Sequence, residues 1–131
     1  GVVYDSVTAQ AVAGAVVSFS GPPGFDPAVH LLGGSNTVTT ASDGHYQFLL
    51  LPGAPAGEYT IAVTPPSGYL NSTVYLPADG PLNAQTCTAP GGQVDPVVGD
   101  PCVVSTPAPV AGVPSPYFLR ITVPEGGGAN A

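Results

Sequence analysis

Apolar and polar positions alternate with a period of two in several short segments. In 15–20, Ala15, Val17 and Phe19 share one face while Ser18 and Ser20 take the other. In 44–50, Tyr46, Phe48 and Leu50 fall together, and in 58–64 Tyr59, Ile61 and Val63 point one way with Thr60 and Thr64 opposite. Near the end, 117–123 repeats the pattern with Arg120 on the wet face. Such alternation is that of a strand with one buried side. Weaker candidates are 1–5, 36–41 and 72–76.

Turn chemistry separates these segments. Asp43-Gly44 predicts a tight turn, because glycine tolerates positive φ. Pro22-Pro23-Gly24, Pro52-Gly53 and Pro65-Pro66-Ser67-Gly68 cannot continue a ladder, since proline has no amide donor. The Phe25–His30 stretch reads as a loop. Six or seven short strands interrupted in this way imply an all-β fold of two packed antiparallel sheets. The stretch 77–116 is rich in proline, alternates little and holds both cysteines. It reads as a long Pro/Gly-rich insertion before the last strand, and loops of that length in a compact domain are often functional. The division is one domain over 1–125, followed by a flexible, Gly-rich tail at 126–131.

Composition sharpens this picture. The 131 residues suit one domain, 44% are hydrophobic and 7% charged. The 18 glycines and 17 prolines are spread along the chain, and their cost inside helices argues against long ones. The net charge is −7, with Arg120 the single strong cation and no lysine. So few cations cannot displace counterions from a phosphate backbone, which argues against nucleic acid as a partner. The same shortage argues against docking on anionic lipid. No apolar run is long enough to span a membrane and no signal peptide opens the chain, so direct membrane insertion is not expected. The chain reads as a mature or excised segment of something longer.

Cys87 and Cys102 lack a metal-ligand spacing and read as a disulfide, worth roughly 3 kcal/mol on chain-entropy grounds. Disulfides persist in oxidising compartments, which places the chain outside the cytosol. Unpaired buried thiols are the alternative.

Taken in order, Gly1-Val2-Val3-Tyr4-Asp5, Val12-Ala13-Gly14-Ala15-Val16-Val17, Thr40-Ala41-Ser42-Asp43-Gly44-His45-Tyr46-Gln47-Phe48, Gly57-Glu58-Tyr59-Thr60-Ile61 and Gly68-Tyr69 form a pattern. It resembles the carboxypeptidase regulatory-like domain and is similar to the B-type domains of serine-aspartate repeat surface proteins. The resemblance covers 1–69 and a final strand at 117–123. It implies an antiparallel Ig-like, transthyretin-like β-sandwich of about seven strands. It also implies a non-catalytic module strung in tandem in bacterial surface proteins, acting as stalk, spacer or adhesive unit. Two family features are missing. The internal isopeptide bond of related adhesin domains needs a lysine, and the calcium-binding relatives carry clustered acidic loops. Fold alone does not assign function.

Few residues carry chemistry. His30, in the 25–30 loop, and His45, after the Asp43-Gly44 turn, read as structural or solvated. No Gly-x-Ser-x-Gly elbow supports a triad, so no catalytic residue is expected. No cofactor is expected either, although Asp5 and Asp43 could converge on calcium with backbone carbonyls. Asn71-Ser72-Thr73 matches an N-glycosylation acceptor, which in a bacterial chain is coincidence. Tyr4, Tyr69, Tyr75 and Tyr117 could furnish a sugar- or partner-binding surface, with packing at sheet edges as the plainer role.

Two functions compete. The first is a structural module of a repetitive surface protein or extracellular fibre, a stalk or a subunit polymerising through strand edges. Its partners are neighbouring copies or adjacent domains, and the scarcity of Lys and Arg suits a protease-exposed exterior. The second is an adhesin-type module recognising a glycan or host protein through the 77–116 loop.

Overall fold

A computed structural model describes residues 1–71, 81–83, 110–113, 117–124 and 129–130. Seven strands and one helical turn appear among them: β1 Val16–Ser20, α1 Pro27–His30, β2 Thr37–Thr39, β3 Leu49–Leu50, β4 Gly57–Thr64, β5 Leu82–Asn83, β6 Arg120–Val123 and β7 Ala129–Asn130. Among the described residues the fold is all-β, with almost no helix.

The main sheet runs β2-β1-β4-β6-β5. Its first four strands are antiparallel and β5 joins β6 in parallel. Register follows the alternation read from sequence. Val17 sits opposite both Val38 and Val63, Phe19 opposite Ile61, and Tyr59 opposite Ile121. A slip of one residue would turn Phe19, Tyr59 and Ile61 into water, so burial itself specifies the pairing. Ala15, Val17 and Phe19 are buried as expected, as are Tyr59 and Ile61.

The remaining segments cover this sheet with less regular backbone. Segment 1–5 lies between 44–46 and 10–12. Val3 N donates to Gly44 O (2.8 Å) and Tyr46 N to Gly1 O (3.0 Å), while Val12 N donates to Val3 O (2.9 Å) and Asp5 N to Gln10 O (2.8 Å). The expected strand at 44–50 narrows to Leu49–Leu50, plus a bridge from His45 to Val2. Its alternation survives nonetheless, with Phe48 and Leu50 buried and Tyr46 half-buried. The turn at Ala41–Gly44 carries the chain away from β2, closed by Gly44 N to Ala41 O at 2.9 Å. Gly44 has φ +69°, and a Cβ there would strike Val3 O. Glycine is required on both counts.

An aromatic column anchors the core. Phe48 stacks on Phe19 at 5.0 Å between centroids, and Phe19 on Tyr59 at 5.1 Å. Phe25 closes the column edge-on to Tyr59 at 5.2 Å. Leu31, Leu50, Ala54, Ile121 and Val123 complete the buried cluster. Fully buried rings of this size dominate core energetics, and offset or edge contacts suit their quadrupoles.

Several expectations need correction. The 25–30 loop contains α1, a helical turn begun by Asp26, whose Oδ1 accepts from Ala28 N at 3.0 Å. Asp at the cap followed by Pro at the first helical position is a start signal in its own right. Strand β6 begins at Arg120 rather than Tyr117, with Leu119 only lending its carbonyl to Ile61 N (2.7 Å). At the chain's end, Ala129 and Asn130 pair with Leu50 and Leu49 as β7. Backbone pairing needs no particular side chain, so a Gly/Ala-rich segment carried no signal of it. Within 77–116, Leu82–Asn83 forms β5, which lies beside Ile121 and Thr122. The 72–76 strand candidate and the Cys87–Cys102 pair lie outside the described residues.

Candidate functional site

Segment 1–7 of the covering layer parts from residues 61–63 of β4 and from the 117–119 lead-in to β6. Two prolines, Pro65 and Pro66, end β4 there, because neither can donate to a ladder. The chain then turns at Pro66–Tyr69 and runs past the opening through Leu70. The result is a groove of about 820 Å³, with Tyr4, Asp5, Tyr69, Leu70, Tyr117 and Leu119 around it.

Its walls are apolar and wet at once. Leu70 is 84% exposed, Val7 66% and Tyr69 45%. Large apolar side chains gathered on one exposed surface mark interaction sites more often than chance packing does. Tyr4 and Tyr117 are half-buried. Burial, reinforced by the neighbouring Tyr4, pushes the Tyr117 phenol above its ordinary value. The Tyr117 phenol therefore stays neutral at physiological pH.

Asp5 supplies the charge. Its Oδ1 accepts from Val7 N at 2.8 Å and Thr8 N at 3.0 Å, and Ala9 N closes the turn on Asp5 O at 2.8 Å. The amides of Thr8 and Val7 hold the carboxyl below the usual carboxylate range. Hydrogen bonds to a charged form favour that form. The turn also forces Ala9 to φ +57°, the one positive φ at a non-glycine residue among those described.

The structure gathers some sequence candidates and separates others. Tyr4, Tyr69 and Tyr117 come together at the groove, and Tyr75 lies outside the described residues. Asp43 closes its own turn, accepting from His45 N at 3.0 Å. Among the described residues no group of three His, Cys, Asp or Glu gathers around a common point. His45 is exposed beside that turn. His30 ends α1, where its Nδ1 accepts from Asp26 N at 2.9 Å and its ring stacks on Phe25 at 6.0 Å. Asn71 is exposed at the groove rim.

Val7, Leu70 and Leu119 escaped sequence reasoning as groove residues. Val7 sits in a turn and Leu70 just beyond one, where alternation assigns no face. The alternation of 117–123 puts Leu119 on the buried side, whereas the structure leaves it 39% exposed just ahead of β6. The signal available for Leu70 was its place next to Tyr69 just beyond a Pro-Pro-Ser-Gly turn. Chemically the arrangement presents ring faces, aliphatic walls and one carboxylate. Such a surface can hold a ligand.

No family model matches the chain, and neither a curated protein nor a solved structure matches it.

Proposed function

We propose that the chain is a non-catalytic extracellular structural module, a stalk or spacer unit of a repetitive surface protein or fibre. In this reading the covering layer and the main sheet are the halves of a transthyretin-like sandwich of about seven strands, as the resemblance to the carboxypeptidase regulatory-like domain implies. The observation that carries the reading is the location of Arg120. It is the sole Lys or Arg of the chain. The bond that follows it belongs to β6, where Ile121 is paired with Tyr59 on one side and Leu82 on the other. A chain with one tryptic bond, held inside a sheet, is fitted to a surface exposed to proteases.

The edge of the main sheet favours a spacer over a polymer built strand to strand. Thr37 and Thr39 of β2 face away from β1 in the ladder, by the register of the bonded pairs on either side. Ser35 Oγ accepts from Thr37 N at 3.3 Å and donates to Thr37 O at 3.0 Å. The outward groups of Thr37 are thus satisfied within the chain, one way an edge is blunted.

Exchange of the module, within its full-length protein, for an unrelated β-sandwich of equal span is the decisive experiment. A spacer tolerates the exchange, and surface display with assembly persists. Loss of assembly after a well-folded exchange overturns the reading.

The groove favours a second reading, an adhesin-type module that binds a glycan or protein. Deleting 77–116 tests the loop version: binding that survives deletion lies elsewhere on the module.

A further inference from the structure

We infer that the tyrosine-lined groove binds an arginine side chain presented by an extended, basic segment of a partner polypeptide. The argument starts from charge. Among the described residues lining the groove, Asp5 is the only one that carries a formal charge, and no cation accompanies it. Arg120, the one Lys or Arg of the chain, pairs with Glu58 at 3.3 Å. The chain as a whole carries −7. Its field therefore draws cationic partners and repels anionic ones.

The side chains set the chemical class more narrowly. A guanidinium is planar, weakly hydrated and stacks on aromatic faces, which an ammonium does less well. Tyr69, exposed at the rim, and the half-buried Tyr4 and Tyr117 offer such faces. Val7, Leu70 and Leu119 offer aliphatic surface to the methylene stem of the same side chain. The Asp5 carboxylate stays ionised through its own turn, so the counter-charge exists before any ligand arrives. The groove is open, with chain along both walls, so a polypeptide segment can lie in it. The inference stands apart from the spacer reading, since a stalk unit with or without a ligand remains a stalk unit.

The test uses the full chain and a blocked peptide alternating arginine and serine, followed by NMR and calorimetry. Two controls accompany it: the same peptide with citrulline for arginine, and cellohexaose with chitohexaose as neutral glycans. The arginine peptide is expected to shift the backbone amides of Val7, Leu70 and Leu119. Tyr69→Ala should weaken it about five-fold, the scale of an exposed cation–π contact. Asp5→Asn keeps an oxygen for the turn amides and should weaken binding by a similar factor, as should about 0.5 M salt. Citrulline should abolish most of the affinity. Shifts scattered over the acidic surface and indifferent to Tyr69→Ala would mean diffuse charge attraction and overturn the inference. Absence of binding overturns it too, and so does a glycan that moves the groove amides when the peptide does not.

Discussion

Thr40 Oγ1 donates a 2.7 Å hydrogen bond to the carbonyl oxygen of Val12, residues far apart in sequence but adjacent where the covering layer meets the sheet. The same hydroxyl accepts from Ala15 N at 3.0 Å, and the Thr40 backbone bonds Ala15 O and Gly14 N at 2.9 Å each. Thr40 is buried, as are Val12 and Ala15. One side chain thereby satisfies the turn that leads into β1. Thr40→Val keeps the shape and removes the hydroxyl, stranding a buried carbonyl and a buried amide. The expected loss is about 2 kcal/mol. Thr40→Ser should recover most of it, and urea unfolding of the three proteins measures both.

Thr40 also shows what the sequence could and could not convey. Its neighbours Thr37 and Thr39 look the same in the chain, yet only Thr40 is sealed inside. Alternation located Val17, Phe19, Tyr59 and Ile61 because burial on one face imposes a period of two. It fails where the chain crosses between layers, since there a residue's direction depends on distant partners. The prolines behaved as local chemistry requires, closing turns from Phe25 N to Pro22 O and from Tyr69 N to Pro66 O. The tyrosines were legible as a set of residues suited to recognition. Their meeting point was not, because Tyr4, Tyr69 and Tyr117 reach it from three separate segments. The helical turn at Asp26-Pro27 has its own start signal, an Asp cap followed by Pro at the first helical position.

Gly21 follows β1 with no unusual φ, yet it has no room for a methyl group. A Cβ there would stand 2.5 Å from Phe25 Cγ and 2.6 Å from Tyr59 Cε1. Both rings belong to the packed aromatic column and cannot yield without moving Phe19. Gly21→Ala should therefore cost about 1–3 kcal/mol as overpacking. A loss of near-ultraviolet tyrosine dichroism should accompany the fall in melting temperature. An unchanged spectrum and stability would mean that the column is softer than its contacts suggest.

Alkaline pH should unfold the chain through its buried phenols. Burial pushes Tyr59 up to about 12, while its hydroxyl donates to Pro55 O at 2.7 Å. Tyr46 is raised for the same reason. An unfolded tyrosine releases its proton near pH 10. Above that pH the unfolded state binds fewer protons than the native one, so stability falls as pH rises. The neutral phenol's contribution is whole below about pH 10 and is lost as pH climbs through about 12. Tyr59→Phe should be less stable at neutral pH, where the Pro55 bond is missing. It should also show a shallower decline between those limits, with Tyr46 and Tyr117 responsible for what slope remains.

The tryptic bond Arg120–Ile121 turns stability into a rate. A protease must draw several residues in extended form into its cleft, and Ile121 is 2% exposed with strands on both sides. Cleavage therefore requires β6 to leave its place between β4 and β5, which pulls Ile121 and Val123 out of the core that contains Tyr59. If that opening is the global one, the cleavage rate follows the unfolded fraction when reclosing is fast. Thr40→Val, lying outside β6, should then speed digestion by roughly 25-fold for a loss of about 2 kcal/mol. Glu58→Gln removes an ion pair whose partners are nearly half exposed, and such pairs contribute about 0–1 kcal/mol, so its digestion should change little. Equal rates for wild type and Thr40→Val would show that β6 frays alone. The bond would then be a local weakness, and the fold's resistance to proteases would not follow from its overall stability.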